Sequence, residues 1–335
     1  MPGRLLNCCP AQAEPDRMSI WPGARILHLV MLLTVLTQQS QVPAQIRPAV
    51  AVWAPAANEV LVGSQSGLQV CAWPMLTLQR QVPVEPQQIL DLCLAGDQRR
   101  LLLTGGTAGE SGMLQLLDLQ TEQILLTCTP HTDRITQTCW LAADDRILTA
   151  SDDGTAAVLD AQSGTLLQRV TLHSRPLLAL TCFSDAQAVT AGMDGTIRLW
   201  QPQNGQAVRT FDNHTAPITD LLAPEPPADG LPLLYSASRD RTVRLWQPTR
   251  GRMVRFARLS SIPQVLLLTS GGDVLLVGCS DGSLLLLHPE SLQVLRTEQT
   301  GTGGINALLQ HPVSGDLLLC TDAGLLRLSR RQLIP

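Results

Sequence analysis

The sequence predicts an all-β fold built from one unit repeated seven times. A tight turn returns at Gly67, Gly112, Gly154, Gly195, Gly282 and Gly324, with Arg241 in the one slot that lacks glycine, at intervals of 45, 42, 41, 46, 41 and 42 residues. Short apolar runs punctuated by 25 Gly and 23 Pro fill these intervals, and no long segment of 3.6-residue hydrophobic period follows residue 45.

The unit is clearest over residues 189–200, Val-Thr-Ala-Gly-Met-Asp-Gly-Thr-Ile-Arg-Leu-Trp. An apolar strand enters an Asp-Gly hairpin turn, where glycine accepts positive φ, and returns with Ile197 and Leu199 on one face and Thr196 and Arg198 on the other. Four short strands fit in each interval.

Asp194-Gly195-Thr196-Ile197-Arg198-Leu199-Trp200 and Asp240-Arg241-Thr242-Val243-Arg244-Leu245-Trp246 resemble the WD40 repeat family, supported by Ser151-Asp152-Asp153-Gly154 and Ser280-Asp281-Gly282. The resemblance covers about residues 48–335 and implies a seven-bladed WD40-like β-propeller. The outer copies depart from the pattern. Leu117, Leu159, Leu287 and Ser329 take the Trp position, and the first copy has Ser66-Gly67 with Trp73 displaced by one residue.

A chain of 335 residues could hold two domains, but a continuous repeat points to one closed ring over 46–335. The net charge of −4 gives no basis for a nucleic-acid partner or an anionic membrane. All 24 basic residues are Arg, which a GC-rich genome would produce and from which no function follows. The nine cysteines fall mostly inside strand patterns, at Cys71, Cys93, Cys128, Cys139, Cys182, Cys279 and Cys320. They read as small buried thiols of a cytoplasmic protein, without a C-x-x-C pair. The compact single-domain layout suggests a bacterial source.

Residues 1–25 are expected to be disordered, and residues 26–45 admit two readings. The apolar run Ile26–Leu36 is too short for a membrane span. It could be a signal-peptide core cleaved near Val42-Pro43-Ala44, especially with a start at Met18, which would make the protein exported. Alternatively, part of Met31–Gln41 closes the ring. The outer strand begins about a dozen residues after each turn glycine, and that count from Gly324 passes Pro335, so the seventh unit needs a strand from elsewhere.

His131, His173 and His214 are spaced by the repeat itself, which puts one in each of three units and argues against a shared metal. The WD40 resemblance implies a buried hydrogen-bonded set of His, Ser or Thr, turn Asp and Trp. His214, Ser238, Asp240 and Trp246 match all four positions; His173, Asp194 and Trp200 match three, with Gly192 in place of Ser; His131, Ser151 and Asp153 match three, with Leu159 in place of Trp. Because this Ser-His-Asp set recurs in register with the fold, a structural role is favoured over a catalytic triad. No catalytic, cofactor or metal site is expected: Thr300-Gly301-Thr302-Gly303-Gly304 lacks a following Lys and helix, and neither H-E-x-x-H nor G-x-S-x-G occurs.

Two surface features carry the functional expectation. Asp133, Arg134, Asp152, Arg175, Met193, Asp220 and Arg239 lie on the turn face, where WD40 propellers commonly receive a peptide or protein, or they are simply solvated. Arg239, Arg241, Arg244, Arg250, Arg252, Arg255 and Arg258 crowd into the fifth unit with Asp240 the only acid among them. They form either a basic rim for an acidic partner or phosphate groups, or a solvated edge that deters sheet association. The proline-rich insertion over 223–230 belongs to the opposite face and explains the 46-residue interval. The sequence therefore favours a non-catalytic scaffold, monomeric itself within a larger complex. An exported ligand-binding propeller and a propeller enzyme with a site at the channel mouth are the rivals.

Overall fold

Each repeat folds into a small antiparallel sheet, and the seven sheets stand around a central channel as the blades of a β-propeller. The computed structural model describes residues 48–54, 58–85, 88–141, 144–184, 186–225 and 231–330. Blade 4 shows the plan. Its inner strand Leu177–Ser184 pairs with Gln187–Gly192, which pairs with Ile197–Trp200, which pairs with the outer strand Ala207–Phe211.

Burial explains why composition changes from strand to strand. Second strands are covered on both faces, as in Leu234–Ser238, where only apolar or small hydroxyl side chains and one tyrosine occur. The polar Glu59, Arg100, Arg146 and Gln187 of other second strands stand at the first position. Outer strands are covered only at their ends, as in Ala207–Phe211, and carry Arg, Thr and Gln. Each apolar cluster bridges neighbouring blades: Trp200 of blade 4, for example, packs with Leu148, Ala150 and Val158 of blade 3. No blade can bury both faces alone, so the ring is the unit of stability.

The seventh and first blades meet in the same way. Ala307, Leu318 and Cys320 pack against Ala51, Val60 and Val62. Trp53 Nε1 donates to the Gln310 carbonyl at 2.9 Å, and the Trp73 ring stacks on His311 at 5.2 Å with the Arg327 guanidinium 5.1 Å from its centroid. Among the described residues blade 7 has three strands, Ile305–Gln310, Leu317–Thr321 and Gly324–Leu328. The extension over 1–25, the closing strand or signal segment expected over 26–45, and residues 226–230 of the insertion lie outside the described residues.

Two positions are corrected. The buried Trp-equivalent position is Leu328 in blade 7, not Ser329, and Cys71 in blade 1, with Trp73 partly buried against the same cluster. The cause is turn length. Thr321 pairs directly with Gly324 and Ser64 with Gly67, so both hairpins have two-residue turns and every later side chain shifts by one.

Gly192 replaces the serine of blades 3 and 5 for a steric reason. A Cβ built there would lie 2.1 Å from the Pro176 carbonyl oxygen, a backbone atom that cannot swing aside. Gly192→Ala is therefore expected to destabilise the ring by about 1–3 kcal/mol. Urea unfolding checks this, and an unchanged midpoint would contradict the close approach.

Candidate functional site

The hairpin turns order one end of the channel. In blades 3, 4, 5 and 6 the turn carboxylate folds back on the chain two residues ahead. Thr155, Thr196, Thr242 and Ser283 each donate both N–H and O–H to Oδ1 of Asp153, Asp194, Asp240 and Asp281.

The second oxygen of the turn carboxylate faces a histidine in three blades. His214 Nδ1 lies 2.8 Å from Asp240 Oδ2, His173 Nδ1 3.0 Å from Asp194 Oδ2, and His131 Nδ1 3.0 Å from Asp153 Oδ2. On the far side, His214 Nε2 lies 2.7 Å from Ser236 Oγ, which also receives the Trp246 indole N–H at 2.9 Å. The tautomer with hydrogen on Nδ1 satisfies this whole chain: indole to Ser236, Ser236 hydroxyl to Nε2, Nδ1–H to Asp240.

Ser236 therefore replaces Ser238 in the expected set, and Thr149 replaces Ser151 in blade 3. Residues two apart on a strand share a face, so pattern alone cannot tell which lies at the depth of the imidazole. Ser238 and Ser151 sit one step nearer the turn, where they cap the Ala216 and Asp133 carbonyls and receive the Asp240 and Asp153 N–H groups. In blade 4 the hydroxyl belongs to Thr190, 2.9 Å from His173 Nε2, and the buried Trp200 indole N–H finds no acceptor among the described residues.

Burial lowers the pKa of His173 and His214 against the pull of their aspartates, so both rings are neutral near pH 7. Burial pushes Asp240 up, but hydrogen bonds from Thr242 and His214 outweigh it and hold the carboxyl below its usual range. The hydroxyls of these sets are occupied in holding one blade together. Among the described residues no group of His, Cys, Asp and Glu is placed to hold a metal ion.

The model of the WD domain, G-beta repeat, matches residues 122–160, 164–201 and 205–247, the stretches that contain the hairpins of blades 3 to 5 and the two indoles just described. These stretches are WD40 repeats. Retinoblastoma-binding-like protein E of Dictyostelium discoideum is 30% identical over 96 residues, which is 29% of this chain and 18% of that protein. The match thus spans less than a fifth of the relative's length.

On this WD40 propeller, the residue ahead of each turn carboxylate is held beside the channel by one repeated backbone bond. Asp152 N–H donates to Arg134 O, Met193 N–H to Pro176 O and Arg239 N–H to Pro217 O. Arg134 grips Asp152 at 2.6 Å, Asp133 Oδ1 receives the Gly109 N–H, Met193 is half-buried, and Arg175 and Arg239 are exposed.

Asp220 is not part of that surface. Its Oδ2 receives the Leu266 N–H of blade 6 at 2.7 Å, which ties two inner strands together inside the channel. Asp91 repeats the arrangement one half-turn of the ring away, receiving the Thr138 N–H at 2.7 Å. Sequence analysis passed over Asp91, whose position two residues into an inner strand was the available signal.

The basic rim also divides. Arg241 stands exposed in the turn at φ +63°, and Arg252, Arg255 and Arg258 are exposed on the outer strand Arg252–Arg258. Arg244 instead lies inward: its Nη2 is 3.7 Å from Asp240, its Nε donates to Thr242 Oγ1, and Phe256 covers it at 5.7 Å. Phe256 itself is 56% exposed among the arginines. It is a feature of the rim that the charge pattern does not reveal.

Proposed function

We propose that this WD40 propeller is a non-catalytic platform that holds a protein or peptide on the turn face of blades 3 to 5. The observation that carries the proposal is the row Asp152, Met193 and Arg239. One backbone bond per blade presents these three side chains in sequence along the channel mouth. Together they offer an ion-paired carboxylate, a polarisable apolar chain and an exposed guanidinium, a mixture that suits a peptide with both polar and apolar contacts. WD40 propellers generally serve as protein-interaction scaffolds, and the Dictyostelium relative is called a retinoblastoma-binding-like protein. The absence of disulfides among the seven described cysteines accords with work in the cytoplasm, as one member of a larger complex.

The triple change Asp152→Ala, Met193→Ala, Arg239→Ala is expected to leave the melting midpoint within about 2 °C, because loop tips carry little packing energy. It is expected to abolish retention of proteins that wild type captures from its own cell, with Arg239→Ala alone giving the largest single loss. Unchanged capture by the triple variant would sink the assignment of this face. A turnover that depends on channel-mouth residues would overturn the non-catalytic reading.

A further inference from the structure

The outer strand of blade 5, Arg252–Arg258, carries charge without counter-charge. Arg80, Arg99, Arg100, Arg134 and Arg327 each sit within ion-pairing distance of a carboxylate. Among the described residues Arg250, Arg252, Arg255 and Arg258 do not. Arg209 joins them from the outer strand of blade 4: its guanidinium lies so close over Gly251 that a Cβ there would be 2.0 Å from Nη1. Five guanidinium groups thus line the outer edge of blades 4 and 5 in a chain whose net charge is −4. Within them Phe256 and Val254 are 56% and 38% exposed.

We infer that this strip is a second docking surface, separate from the turn face, and that its occupant is an acidic, extended protein segment. Arg252 and Arg255, opposite Gln247 and Leu245, lie on the face toward blade 6, and Arg258 and Phe256, opposite Thr242 and Arg244, lie on the face toward blade 4. An extended acidic chain along this edge, whose side chains alternate, therefore meets guanidinium groups on both sides. Phe256 supplies an apolar contact between the charges, over a guanidinium that already holds its ring in place. A second copy of this chain does not fit, because two such edges would oppose arginine to arginine. Pairing as an added strand does not fit either. Register shifts between Leu245 and Trp246, leaving a bulge at Val254 that interrupts the edge, so recognition falls to side chains. A nucleic acid strand would need successive aromatic platforms, and Phe256 is the one aromatic on this strand.

Fluorescence anisotropy with the full chain tests the inference. The probes are a labelled, end-capped peptide of repeated Glu-Val-Ser, the matching Gln-Val-Ser peptide, and single-stranded oligothymidine. The Glu peptide is expected to bind and the other two to bind at least about ten-fold more weakly, with affinity for the Glu peptide falling steeply between about 50 and about 300 mM salt. Arg252→Glu, Arg255→Glu, Arg258→Glu is expected to lower that affinity at least about ten-fold, and Phe256→Ala several-fold. The milder Arg→Gln set at the same positions, with its melting midpoint measured, gives the same answer should charge reversal disturb folding. The turn-face triple variant is expected to bind the Glu peptide as wild type does, which separates this surface from the one proposed above. Equal binding of the Glu and Gln peptides, undiminished binding by the Arg→Gln set, or preference for oligothymidine would each overturn the inference.

Discussion

Asp240→Ala is expected to cost about 3 kcal/mol and to lower the thermal midpoint by roughly 6–12 °C. The carboxylate is a hub. Oδ2 faces His214 Nδ1 at 2.8 Å and receives the Thr215 N–H at 3.2 Å, while Oδ1 receives the Thr242 N–H and hydroxyl at 3.0 and 2.6 Å. Alanine strands the imidazole N–H in a site where the histidine side chain is 1% exposed, and leaves the Arg244 guanidinium without its nearby carboxylate. The loss should appear in differential scanning calorimetry without loss of any chemistry. Asp281→Ala, whose carboxylate serves Ser283 but no histidine, should cost distinctly less. Equal effects at the two positions would show that the histidine contributes nothing.

The second large effect is an unusual dependence on pH. Burial pushes Asp91 and Asp220 up to about 7, against the lowering effect of the backbone N–H groups each accepts, and the Asp220 charge across the channel adds to the rise at Asp91. A carboxyl with a folded value above its unfolded value holds its proton better in the folded chain. Its stabilising contribution is complete below about pH 4 and is lost as pH rises through about 7. His173 and His214 act in the opposite sense. Burial lowers their folded values, so their contribution is complete above about pH 6.5 and is lost as pH falls below it. Between pH 5 and 8 the two aspartates should each withdraw roughly 2 kcal/mol, partly offset below pH 6.5 by the histidines. Urea midpoints are therefore expected to fall from pH 5 to 8, gently below about pH 6.5 and more steeply just above it. Asp91→Asn, Asp220→Asn should flatten the alkaline decline, and a wild-type protein that grows steadily more stable from pH 5 to 8 would refute the assignment.

Much of the ring is written in local chemistry. Gly154, Gly195 and Gly282 hold φ between +73° and +81° in their turns, and Arg241 takes the same region at +63°, so the turn period was readable from residues that tolerate positive φ. The alternation of strands Ile197–Trp200 and Thr242–Gln247 was equally legible, because Ile197, Leu199, Val243 and Leu245 make one face wholly apolar while the other alternates the polar Thr196, Arg198, Thr242 and Arg244 with its tryptophan. Period two, however, leaves residues two apart equivalent. Ser236 and Ser238 look alike in sequence, and only the three-dimensional depth of the imidazole selects Ser236.

Surface assignments failed for a related reason. Asp220 and Arg244 are charged residues in strands, and local pattern places them outward. The curvature of the ring turns one into the channel onto the Leu266 N–H and the other inward onto Asp240. Sequence by itself determined the repeat, its period and the hairpin turns, since each depends on backbone preference, and its resemblance to WD40 repeats implied the His–Asp pairs. Tertiary structure alone decided which hydroxyl completes each pair, which charges meet water, and that Asp91 and Asp220 face one another's field in the channel. Those outcomes depend on distances between strands of different blades, which are set by packing and do not appear in the order of residues along one strand.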